Sequence, residues 1–177
     1  MRRRSIILGV PLLLGGAAAL AAARADEDQA PPLPPDARAD RILVAKARHE
    51  MVLLRGDAVL RTYTVALARG GLAPKRREGD LLVPEGRYTI AGRNSRSLFH
   101  LALRISYPEP RDVAAARARG EPPGGDIMIH GLPNGMGWFG ALHRQVDWTA
   151  GCIAVTNAEM DEIWRVVPDR TSIEIVA

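Results

Sequence analysis

The sequence predicts a mostly β domain with one or two short helices, and three observations carry that expectation. Short apolar runs with β-branched residues are separated by Gly, Pro and charged breakers, the punctuation of strands and turns. From Phe99 to Ile105, apolar residues alternate with His100, Ala102 and Arg104, the period of a half-buried strand. Helical signals are confined to two short segments, one after Glu109 and one after Thr156.

Taken in order, Ile42–Ala45 and Met51–Arg55 open a β-meander, and Gly56-Asp57 turns the chain into "AVLRTYTVAL". Val59, Thr62, Thr64 and Val65 supply β-branched side chains there. "ARGGLAPKRREGDLLVPEG" reads as a long surface loop, because Gly, Pro and charge interrupt every period. "RYTIAGR" and "FHLALRISY" are the next strands, and "EPRDVAAARARG" is a short helix closed by Gly120. "DIMIHG" forms a strand ending at His130, and "CIAVT" one beginning at Cys152. Thr156 and Glu159 have capping-box spacing. Met160, Ile163 or Trp164, and Val167 mark the buried helical face, and Pro168 stops it before the closing strand "TSIEIV".

Residues 1–25 carry Arg2, Arg3 and Arg4, then an apolar run, then the small pair Ala23 and Ala25 around Arg24. That is the pattern of a secretory signal peptide cleaved near Ala25, with an uncleaved anchor as the alternative. Residues 26–40, which include the Pro-rich "QAPPLPPDARAD", are expected to be a linker. Residues 41–177 are then one domain with enough chain for a real core. Export implies the periplasm and no membrane span after cleavage. Four of the 24 basic residues, and none of the 20 acidic ones, fall in residues 1–25, so the remainder is charge-balanced. The basic surface a nucleic-acid partner requires is therefore missing.

Cys152 is the single cysteine. Structural cysteines of exported proteins come in pairs, so this one is an inert buried residue, an intermolecular link or a reactive thiol. A thiol becomes a useful nucleophile when a neighbour takes its proton, and histidine is the usual partner. His130 ends one expected strand and Cys152 starts another. If those strands are neighbours, both side chains face one cleft, walled by the Gly-rich connection with Trp138, Phe139 and Trp148. A tight turn at Thr149-Ala150-Gly151-Cys152 would aim backbone N–H groups at the oxygen of an attacked carbonyl.

His130-Gly131 followed by Thr149-Ala150-Gly151-Cys152-Ile153 resembles the signature of the L,D-transpeptidase catalytic (YkuD-type) domain. Pro84-Glu85-Gly86-Arg87-Tyr88 resembles an upstream element of the same family, and the similarity runs from about Ile42 to Val176. The resemblance implies a β-sandwich or barrel and a cysteine acyl-enzyme mechanism on peptidoglycan stem peptides. Cys152 would be the nucleophile and His130 its base. The Gly131 carbonyl would be the third member, and amides around Gly151 and Cys152 the oxyanion hole. The bond attacked would join diaminopimelate to a terminal D-amino acid, and an amine or water would resolve the thioester. An outer-membrane lipoprotein is a candidate acceptor. Two positions depart from the family: Ala150 replaces a frequent His, and Ala154 a frequent Arg that could fork a substrate carboxylate. The residues around Cys152 are similar to a branch with hydrolytic members, so an L,D-hydrolase or amidase is the alternative. A non-catalytic cell-wall-binding module is the other.

Thr149, Arg144, Trp138 and His143 are the candidate substrate-binding residues. Arg144 could replace the missing arginine. Trp138 and Trp148 also fit loop anchors, and His143 fits a solvent-facing loop residue. His100 and Arg104 share a strand face that is either groove floor or solvent, and His49 is expected at the surface of a turn. A zinc site from His130, His143 and Cys152 is disfavoured by its long spacings. No metal or cofactor is expected, and the oligomeric state is open.

Overall fold

The computed structural model describes residues 31–177; the expected signal peptide and the start of the linker lie outside the described residues. Strands β1 (Arg41–Ala45), β2 (Glu50–Arg55) and β3 (Ala58–Thr64) form the expected antiparallel meander. Gly56 takes the β2–β3 turn at φ 58°, a left-handed conformation that costs glycine little. Strand β4 (Gly86–Asn94) follows the long loop. Next come β5 (Ala102–Ile105), helix α1 (Pro110–Ala118) and β6 (Met128–His130). Strand β7 (Ile153–Ala154), helix α2 (Asn157–Val166) and β8 (Ser172–Val176) close the chain.

The strands lie in the order β3-β2-β1-β8-β4-β5-β6-β7. The last strand inserts between β1, to which it runs parallel, and β4, to which it runs antiparallel. The two ends of that order then meet. Beyond β3, Ala66 and Ala154 exchange backbone hydrogen bonds of 3.0 and 2.9 Å, and Ala68 bridges Thr149. The sheet therefore curls on itself, closed by these bridges beyond β3. Ile42, Leu53, Ile90, Leu103, Ile129 and Ile153 fill its interior, and Met160, Ile163 and Val166 of α2 pack against them.

Both helices form where their end signals stand. In α1, Pro110 occupies the first turn, and Glu109 with Asp112 completes a capping box. In α2, the Glu159 amide donates to Thr156 Oγ1 and the Thr156 amide to Glu159 Oε2, the reciprocal cap expected from the spacing. Two strands are shorter than the apolar runs suggest. The amides of Phe99 and His100 donate to Ser97 Oγ and Asn134 Oδ1, and His100 is left-handed, so pairing in β5 starts only at Ala102. Strand β7 is cut to two residues because Thr149 Oγ1 takes the Cys152 carbonyl on one side and Thr156 caps α2 on the other.

Two segments expected to be loose are tied down. From Leu33 onward the Pro-rich stretch packs on α2: the Leu33 amide donates to Glu162, the Ala39 amide to the Val166 carbonyl, and Ala37 and Ala39 are buried. The long loop after β3 is stitched by Asp80, which pairs with Lys75 at 2.8 Å and accepts from the amides of Arg76 and Arg77.

Lys46, in a 3₁₀ turn after β1, is fully buried yet charged. Its ammonium pairs with Glu85 at 2.7 Å and donates to the carbonyls of Ala73 and Val83. Removing one side of such a pair strands the other in poor solvent. Lys46→Met should therefore lower the unfolding free energy by about 2–3 kcal/mol, moderated because Glu85 still touches water. Urea titration would measure it, and the same substitution in a Glu85→Gln background should cost distinctly less.

Candidate active site

Strands β6 and β7 are parallel neighbours, with Ile129 opposite Ile153 and His130 opposite Ala154. Cys152, one residue before β7, therefore falls opposite Met128. Side chains alternate along a strand, so Met128 and His130 share a face, and Cys152 joins it. Ile129 and Ile153 point the other way, into the core. Cys152 and His130 are thus diagonal neighbours on one face, a relation worth about 7–8 Å between Cα atoms in a sheet. Both line a single cleft of about 450 Å³, together with Ser97, Phe99, Asp126, Trp148 and Thr149.

His130 is almost wholly buried and is held from three sides. Its Nδ1 lies 2.7 Å from the Gly131 carbonyl. A carbonyl can only accept, so Nδ1 carries the proton and Nε2 is left with the lone pair. The rings of Phe99 and Trp148 stand 4.6 and 5.7 Å from the imidazole, centroid to centroid. Gly131 has no room for a side chain: a Cβ there would lie 2.6 Å from Asn157 Oδ1 and 3.0 Å from His100 Cβ. The Asn157 oxygen is itself committed to the Leu132 amide at 2.8 Å, which fixes the chain just past the histidine.

Cys152 is half-buried and its thiol is free. Its Sγ donates weakly to the Asp126 carbonyl at 3.6 Å. Thr149 builds the turn beneath it, donating through Oγ1 to the Cys152 carbonyl at 2.7 Å and accepting from the Gly151 amide at 3.3 Å. Gly151 sits at φ 143° with Ile127 and the Leu82 carbonyl against it, a conformation that favours glycine. Since the Gly151 N–H points at Thr149, the Cys152 amide is the better-placed donor of this turn for an oxyanion.

Burial acts on the pair in opposite senses. It lowers the pKa of His130 below the ordinary 6.5, against the pull of the Gly131 carbonyl. It raises the thiol of Cys152 above the ordinary 9.0, against the Met128 backbone, with Asp126 raising it further and Lys75 lowering it. Both groups are therefore neutral at pH 7. The resting site holds a thiol and an imidazole able to take its proton, not a preformed thiolate–imidazolium pair.

The other sequence candidates scatter. Thr149 lines the cleft, with its hydroxyl engaged in the turn. Arg144 is drawn under the surface by an ion pair with Glu159 of α2, so its fork is taken by an internal carboxylate. His143 is buried rather than solvent-facing, with Trp148 Nε1 at 3.4 Å from its Nδ1. It lines a separate apolar pocket of about 210 Å³ with Leu132, Met136 and Phe139. Trp138 stands 75% exposed on a 3₁₀ segment, Gly137–Gln145, its ring tilted 49° against that of Phe139 and outside the cleft lining. His49 is half-buried and bonds Asp147 at 2.9 Å, tying the connection between His130 and Cys152 back to the β-meander. His100 pairs with Asp161 of α2. Among the described residues no group of three His, Cys, Asp or Glu side chains is arranged to hold a metal ion. Sequence reasoning missed Asp126, although Asp126, Met128 and His130 already show the period of one strand face. It also missed Asn157, for which no sequence signal exists.

The L,D-transpeptidase catalytic domain (YkuD) model matches residues 39–175, and the chain belongs to that family. It is 33% identical over 112 residues to YafK of Escherichia coli (strain K12), a protein named as a candidate L,D-transpeptidase. That match covers 62% of this chain and 37% of YafK, so the matched region is little more than a third of the relative's length. Among solved structures, the chain is similar to the helical cell shape determining protein Pgp2 from Campylobacter jejuni. The TM-score is 0.57 at 23% identity, over 79% of this chain and 48% of that one. It is also similar to an L,D-transpeptidase from Xylanimonas cellulosilytica, with TM-score 0.53 at 16% identity, over 91% and 70% of the two chains. The family's β fold is the one observed here.

A neutral resting pair has a measurable signature. Alkylation of Cys152 by iodoacetamide, followed by mass spectrometry across pH, should rise with a midpoint above 9.0, the ordinary thiol value. A midpoint near pH 6 would mean that the thiolate is already formed at rest.

Proposed function

We propose that the protein is an exported cysteine acyltransferase of the periplasm that acts on peptidoglycan stem peptides. The observation that carries this reading is the shared cleft of Cys152 and His130, with the histidine tautomer set by the Gly131 carbonyl. Family membership supplies the substrate class.

The chemistry follows from the protonation states. His130 Nε2 takes the thiol proton as Sγ attacks the amide carbonyl carbon, and the Cys152 amide receives the developing oxyanion. The tetrahedral adduct collapses with loss of the terminal D-amino acid, whose nitrogen takes the proton back from His130. A thioester remains on Cys152. An incoming amine then attacks it, again losing a proton to His130, and the released thiolate recovers that proton. Water in place of the amine gives hydrolysis. Ala154 bears on the donor: it is fully buried, and its backbone is bonded to Ala66. The guanidinium that the resemblance leads one to expect there is absent, so binding of a donor carboxylate rests on other groups.

Two measurements test the proposal. Incubation with a carbapenem should add the mass of the drug to the protein, and Cys152→Ala and His130→Ala should each abolish the adduct while leaving the fold intact. A folded wild-type protein that never labels would favour the non-catalytic binding module. The labelling rate should hold as pH falls through 6.5 and decline only below it, because the lowered pKa of His130 keeps its base form at more acid pH. Incubation with purified muropeptides then separates transpeptidation, seen as new cross-links or exchanged termini, from hydrolysis, seen as trimmed stems.

A further inference from the structure

The register of the sheet places one more charged pair on the face that carries Cys152 and His130. Arg104 of β5 is paired with Met128 of β6 and with Gly92 of β4. Cys152 falls opposite Met128 on the far side, so Gly92, Arg104, Met128 and Cys152 form one row across four strands. Leu103 and Ile105, the neighbours of Arg104, point into the core. Arg104 therefore stands on the catalytic side, two strand spacings from the nucleophile, or about 10 Å.

Asp126 bridges that interval. Its carbonyl is the acceptor for Cys152 Sγ, its backbone is left-handed at φ 54°, and it lines the catalytic cleft. Its carboxylate is 76% exposed and lies 3.4 Å from a nitrogen of Arg104, itself 56% exposed. The floor beside them is bare. Gly92 has nothing within 4 Å of where a Cβ would sit, and Ala102 is the next residue on the face. An ion pair this exposed contributes little to the fold, so it opens at small cost.

We propose that Arg104 and Asp126 form a zwitterion clamp for the substrate, Arg104 taking a carboxylate and Asp126 the ammonium on the same carbon. Opening one weak pair yields two charge-assisted contacts, and a neutral clamp selects a neutral zwitterion over a lone cation or anion. The inference rests on the proposed function for its substrate class. In a diaminopimelate stem, the free amino-acid centre lies five carbon–carbon bonds of about 1.5 Å from the attacked carbonyl. An extended side chain thus covers most of the interval, and the arginine covers the rest. A lysine stem offers the ammonium alone. Arg104 would supply the carboxylate fork that the sequence lacks at Ala154.

The test compares binding and turnover on purified tetrapeptide stems carrying either meso-diaminopimelate or lysine. With Cys152→Ala protein, calorimetry should show about tenfold tighter binding of the diaminopimelate stem. Adding Arg104→Gln should bring that ratio close to one, Asp126→Asn should weaken both stems, and Arg104→Lys should restore part of the preference. A folding defect would weaken both stems alike and leave the ratio unchanged. An unchanged ratio in Arg104→Gln protein that still binds the lysine stem with undiminished affinity overturns the clamp, even if turnover is normal. Selective binding without turnover by protein containing Cys152 overturns the acyltransferase reading and leaves the clamp standing. Absence of both binding and turnover overturns both.

Discussion

The parallel register of β6 against β7 is the constraint on which the site depends. Because His130 pairs with Ala154, Cys152 must fall beside Met128, and strand alternation then puts thiol and imidazole on one face. A slip of one residue would send Cys152 into the core and leave Ile153 in the cleft. The register is enforced from both sides. Ile129 and Ile153 are fully buried in the hydrophobic core, and the Val155 amide bonds the His130 carbonyl at 3.0 Å. The curled sheet adds the third restraint, since Ala66 holds both backbone groups of Ala154. Ala154 is thereby fully buried, and its small side chain belongs to the closure of the sheet.

The site is built from groups that burial keeps neutral. A preformed ion pair would require compensating charge, and neither Asp126 nor Lys75 reverses the effect of desolvation on the thiol. The fold supplies instead a fixed tautomer and aromatic walls. Phe99 and Trp148 confine the imidazole while the Gly131 carbonyl orients it, so the site is organised by position more than by charge. The turn from Thr149 to Cys152 has a parallel role. It spends the threonine hydroxyl and the Gly151 amide on local bonds.

The region between His130 and Cys152 serves as a wall with its own interior. His143 and Trp148 pack together below the surface, Arg144 is anchored to α2 through Glu159, and Asp147 is anchored to His49. These contacts explain why residues that looked like substrate ligands have internal partners. Trp138, by contrast, is displayed to solvent with Phe139. Charge in this region is consumed by the scaffold, whereas Arg104 and Asp126 form an exposed pair on the face that carries Cys152.

Much of this was legible in the residues themselves. The succession of strands along the chain, both helix starts and the choice of one histidine and one cysteine as candidates follow from local signals: period-two alternation, capping boxes, and a lone thiol and a histidine at strand ends. Those signals act over a few residues, so they survive without tertiary context. What they could not decide is which neighbour a side chain meets. Arg144 and Arg104 are both arginines in polar company, yet one is buried against Glu159 and the other stands exposed on the face that carries Cys152. The Pro-rich stretch from Leu33 to Asp40 reads as a tether until α2 offers it Glu162 and the Val166 carbonyl. By itself the sequence determined a β domain with a His–Cys pair at two strand ends. The tertiary structure alone decided that the strands lie adjacent and in register, because pairing between residues distant in the chain is set by burial and backbone hydrogen bonding, not by local propensity.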